Sequence, residues 1–138
     1  MDSHSKVPEF KGRFFGIAVL VAVQLIIGFI HGIFGFTMLA GSFSVVAFST
    51  TQLIYSIYTT TYGLLTLFFT YLIWEHNRLG WIGTMLISLF VIIADILTLM
   101  SLLTILGIPE FAAVGEIPYS TIVLGYLFQP HVKAKYRI

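Results

Sequence analysis

Apolar residues in this chain come in long runs rather than in amphipathic stripes. Four runs stand out: Phe14–Ala40, Leu53–Trp74, Leu79–Leu106 and Ile108–Gln129. A bilayer core about 30 Å thick is crossed by about 20 apolar residues in a helix, and each run meets or approaches that length. The first three hold few or no charges. The fourth holds Glu116 and Pro118, so two readings stand for it. One is a full span, because neighbouring helices can satisfy the backbone groups that a proline frees. The other is a re-entrant turn over Ile108–Pro118 followed by a short helix. The predicted fold class is an all-α membrane protein with four transmembrane helices in an antiparallel bundle. Residues 1–13 read as a polar tail, 14–129 as the transmembrane domain and 130–138 as a basic tail.

The placement of charge adds an orientation. Lys6, Lys11 and Arg13 precede the first run, Arg78 lies between the second and third, and Lys133, Lys135 and Arg137 follow the fourth. The other two connections carry no lysine or arginine. Cytoplasmic loops carry the excess of these residues, so both termini are expected inside. A cleaved signal has an apolar region of only about 7–15 residues, shorter than the first run.

Composition narrows the class. Apolar residues make up 58% of the chain and charged residues 9%, with a mean hydropathy of +0.98. Soluble domains carry about 25% charged residues, so a soluble enzyme and a nucleic-acid partner are both excluded. Disorder needs low hydrophobicity and high net charge, and the net charge here is +1. The 138 residues include no cysteine, which removes disulfides and thiolate chemistry.

Ionisable groups inside a span are costly and become functional candidates by default. Three qualify: His31, Asp95 and Glu116. At 1.5 Å per residue they lie roughly 25, 24 and 20 Å from the cytoplasmic ends of their helices, a similar depth in the outer half of the bilayer. Gln24, Gly28, His31, Gly32 and Gly35 share one face of the first helix. Gly28 and Gly32 form a small-xxx-small pair that lets helix backbones approach closely. Thr84, Ser88, Asp95 and Thr98 form a second polar stripe, and Tyr55, Tyr58 and Tyr62 share a face of the second helix. The intramembrane polar cluster is therefore His31, Asp95, Glu116, Gln24, Tyr58 and Tyr62, with Gly28, Gly32 and Gly35 as packing positions. An internal His31–Asp95 structural pair is the preferred reading, ahead of a proton, ion or solute pathway.

No catalytic set, metal site or cofactor is expected. Bis-histidine haem needs two imidazoles at one depth, whereas His31 is deep and His76 and His131 sit at the inner edge. With Glu75 those two offer only a weak metal reading, and headgroup contact fits them better. His4 carries no signal.

Tyr71–Arg78 aligns with Tyr126–Lys133, and Ile17 and Ile27 align with Ile82 and Ile92. The chain then reads as two tandem helical hairpins, 13–77 and 78–133, of the parallel-repeat kind. The block from Tyr62-Gly63-Leu64-Leu65 through Trp74, Leu79-Gly80-Trp81, the ending Tyr126–Lys133 and the opening Gly16–Leu20 resemble small four-helix integral membrane proteins of bacteria and archaea. That resemblance implies topology and no activity; the lack of cysteine and of a targeting peptide fits a prokaryotic cytoplasmic membrane. The expected function is a non-catalytic accessory subunit that packs within a larger membrane complex, its partners being lipid and other membrane subunits or a second copy. The alternative is a small proton-coupled transporter or channel using Asp95 and His31.

Overall fold

The computed structural model describes residues 8–44 and 49–138. The chain is all-helical: among the described residues there are five helices and no strand. They are α1 (Pro8–Ser42), α2 (Thr50–Trp74), α3 (Arg78–Leu99), α4 (Glu110–Leu127) and α5 (Pro130–Lys135). Helix α1 starts at Pro8, inside the stretch read as a polar tail; residues 1–7, with Lys6 and His4, lie outside the described residues. So do residues 45–48 of the uncharged connection between the first two runs.

Two helices are long and apolar enough to cross a membrane, over Phe15–Ser42 and Arg78–Leu99. Only 28% and 33% of their most apolar windows is buried, so their apolar surface faces outward. Helix α2 spans 25 residues, but its Thr, Tyr and Gln residues dilute its apolar character. Helix α4 has 18 residues and carries two glutamates. It runs unbroken through Pro118, so no turn separates Glu110–Pro118 from the rest of the helix.

The third helix ends at Leu99 rather than at Leu106. Ser101 takes φ 58°, its N–H donates to Thr98 O, and the Leu102 N–H donates to Leu97 O at 2.8 Å. That is a Schellman stop, in which a left-handed residue just past the helix satisfies the last carbonyls. Helix α2 stops the same way at His76, φ 56°, with bonds from His76 N to Ile73 O and Asn77 N to Leu72 O. Asn77 then caps α3, its side chain accepting from Leu79 N, and Ser49 caps α2 through Gln52 N.

Contacts place neighbouring helices antiparallel. Gln24 meets Thr70 and Gly35 meets Thr59 and Thr60, so α1 and α2 run in opposite directions. Gly83 lies against Phe69 and Gly80 against Leu72, joining α2 to α3. Trp81 Nε1 donates to Leu127 O at 3.0 Å, satisfying a C-terminal carbonyl of α4. Around this bond an apolar core forms at the end that carries the α2–α3 turn and the C-terminus, here called the base. Ile17, Leu20, Val21, Ile73, Val123 and Leu127 fill it, and Val132 and Tyr136 of the α5 segment close it. A smaller cluster of Ala94, Ile108 and Ala113 lies at the opposite end, the top.

The tandem-repeat alignment does not extend to burial. Leu127 is fully buried while its counterpart Leu72 is only partly so. Ile73 is fully buried while its counterpart Phe128 is exposed.

Candidate functional site

Between the two apolar ends the inward faces are polar. Ser56, Thr59, Thr66 and Thr70 of α2, Thr84, Ser88, Asp95 and Thr98 of α3, and Gln24 and Ser120 are all buried. Phe29, Ile30, Ile33, Phe68, Phe90 and Ile122 point outward and are mostly exposed. The stripe predicted on α3 faces inward in full. The buried stripe on α2 at 56, 59, 63, 66, 70 and 73 follows the i, i+3, i+7 spacing of one helix face, next to the more conspicuous tyrosines.

Close helix approach positions His31. Gly28 lies against Leu67 and the Gly63 carbonyl, and Gly63 sits directly on the backbones of Gly32 and Gly28. The close contact is therefore made by Gly63, which sequence reasoning did not single out, as much as by the Gly28/Gly32 pair. Gly35 presses on Thr59 and Thr60. His31 then meets Tyr62 edge to face, with ring centroids 4.8 Å apart. Tyr58 stacks on Tyr62 at 6.5 Å and on Tyr55 at 6.5 Å.

The imidazole is held at both nitrogens. Nδ1 is 2.9 Å from Ile27 O, and a carbonyl can only accept, so Nδ1 carries a hydrogen. Nε2 is 3.0 Å from Glu116 Oε1. With Nδ1 protonated, that second contact is a hydrogen bond only if one further proton lies on it, on the imidazole or on the carboxyl. The pair therefore holds one shared proton. The two side chains are 17% and 16% exposed, so the helices do not fully enclose the pair.

Asp95 is not the partner of His31. It lies within electrostatic reach of both His31 and Glu116, yet it is fully buried and neither carboxyl oxygen has a hydrogen-bond partner among the described residues. The Tyr58 hydroxyl is likewise buried and unpartnered. Gln24 sits lower, accepting from Thr70 Oγ1 at 3.4 Å with Tyr119 beside it.

The two histidines expected at the inner edge, His76 and His131, separate. His76 stacks on Tyr136 at 6.2 Å and His131 meets Tyr126 at 6.1 Å. Partial burial of the ring, and secondarily the Lys135 charge, hold the His76 imidazole below its ordinary 6.5, with Glu75 opposing. Among the described residues no three His, Asp or Glu side chains converge as metal ligands.

Compared with known proteins, the chain matches no family model, no curated protein and no solved structure.

Proposed function

We propose that this chain is a four-span integral membrane protein with cytoplasmic termini, and that its interior acid–imidazole cluster makes it a small proton-linked transporter or channel. The observation that carries the proton reading is Asp95, buried without a partner beside a pair that already holds a shared proton. A buried carboxylate left unpaired is among the costliest groups a protein interior can hold, and structural glue would have been given a partner. Binding a proton or cation removes that cost. The membrane reading is supported by two apolar helices, by exposed apolar side chains on α1 to α4, and by bases that gather at one end.

Purified protein reconstituted into vesicles with an imposed pH gradient tests the proton reading. Proton flux is expected, and Asp95→Asn is expected to abolish it while leaving helix content intact. Equal flux from both proteins, or none from either, sinks it.

The accessory-subunit reading has one observation of its own. Helices α1 and α4 leave an outward groove of ≈ 420 Å³ lined by Phe15, Gly16, Val19, Val23, Ile122 and Tyr126. A partner helix seated there would make the protein co-migrate with other chains in mild detergent, whereas a stable lone species would rule this out.

A further inference from the structure

We infer that the interior carries a bound-water site just below the acid–imidazole cluster. Gln24, Tyr62, Thr66, Thr84, Ser88 and Tyr119 enclose a cavity of ≈ 10 Å³, close to the ~10–15 Å³ that one water needs. A buried water also needs two to four polar partners, and the walls supply them. Among the described residues the buried Thr84 hydroxyl has no protein partner, and the buried Thr66 hydroxyl has only Tyr62, on the same wall, beside it, although threonines in helices ordinarily bond back to a carbonyl one turn earlier, as Thr70 and Thr98 do here. Leaving a buried hydroxyl unmade costs about 1–3 kcal/mol, so two facing one small polar cavity mark a ligand with both donor and acceptor capacity. Water is that ligand; Phe69 and Ile87 on the same wall offer a charged one nothing to replace its hydration.

Position gives the water a role. Tyr62 lines the cavity and its ring also packs against His31, so the water lies one side chain away from the proton-holding pair. Gln24 lines the other side and continues to Thr70. Beneath them the apolar core of Ile17, Val21, Ile73 and Leu127 closes the path. A water here takes a proton on its oxygen from one neighbour and releases a different one to the next, so charge moves with no net change in the water. The relay role rests on the proton-linked reading above. The water site does not.

Radiolytic hydroxyl footprinting of the reconstituted protein tests the site, because radicals born from a trapped water label the side chains around it. Tyr62, buried like Trp81 and Tyr136 but facing the cavity rather than the apolar core, is expected to be modified faster than those two. Thr66→Val with Thr84→Val, near in volume, is expected to bring it down to that control rate with helix content unchanged. Equal labelling of the three aromatic residues in the unsubstituted protein overturns the water site. Faster labelling at Tyr62 with no proton flux supports the water while removing the transport reading. Flux that survives undiminished in the double valine variant overturns the relay.

Discussion

Gly63 and Gly32 lie in one helix crossing, yet the space around them differs. A Cβ at Gly63 would collide with the backbones of Gly32 and Gly28, whereas one at Gly32 meets nothing within 4 Å. Gly63→Val is expected to destabilise by about 1–3 kcal/mol or more, the cost of overpacking a site whose neighbours are backbone. Gly32→Ala is expected to be nearly neutral. Unfolding midpoints in detergent compare them, and equal losses would remove the account of the α1–α2 contact. The acids divide in the same manner. His31→Leu strands Glu116 and is expected to cost about 1–3 kcal/mol, whereas Asp95→Leu deletes an unpartnered carboxyl and is expected to leave stability unchanged or raised. A large loss at Asp95 would mean that it has a structural partner. The polar candidates themselves were legible in the sequence, because an ionisable side chain in an apolar run is conspicuous. Which of two carboxyls takes the imidazole was not, since Asp95 and Glu116 lie at similar depth and the choice depends on helix rotation.

Helix ends were the least legible elements, for a nameable reason. Glycine usually occupies the left-handed position of a Schellman stop, and here His76, Ser101 and Arg137 do so. With no glycine to mark it, and with Leu102, Leu103, Ile105 and Leu106 continuing the apolar run, the end of α3 cannot be seen in hydropathy. Ser101→Gly is therefore expected to raise stability by up to about 1 kcal/mol, since only glycine takes that conformation without a side-chain penalty; an unchanged or lowered midpoint would count against it. At the base, Tyr136 OH donates to Ile73 O at 2.9 Å and Val132 is fully buried, which ties α5 to the α2–α3 turn. The stretch read as a basic tail is thus half anchor. His76, stacked on that tyrosine, adds a pH dependence. Its folded value lies below 6.5, so the unfolded chain binds the proton more readily. The penalty is absent well above pH 6.5 and grows as pH falls below it. His76→Gln is expected to flatten the acid limb of the stability–pH curve, and an unaltered limb would refute the assignment.

At the scale of the molecule, polarity is inverted relative to a soluble protein. Hydroxyls, an amide and a carboxyl are buried, and large apolar side chains are exposed over α1 to α4. The informative observations in any fold are buried polar groups and large exposed apolar surface, and this chain presents both. The apolar runs made the helices legible, but only α1 and α3 remain apolar enough to be recognised as spans one at a time. Helices α2 and α4 carry their polar residues inward, so their capacity to span depends on the others covering those faces. Four spans with the base in the cytoplasm then form a single testable arrangement. The chain has no cysteine, so one introduced at Thr104, in the α3–α4 connection, or at Arg137, beyond α5, is the sole thiol. A membrane-impermeant maleimide added to intact cells is expected to label Thr104→Cys and to reach Arg137→Cys only after permeabilisation. A cysteine at Asn77, in the α2–α3 turn, should behave like Arg137→Cys if α2 crosses the membrane. Labelling of the Asn77 and Thr104 positions from the same side would take α3 out of the bilayer, and with it the inside-out packing that gives the acid–imidazole cluster its meaning.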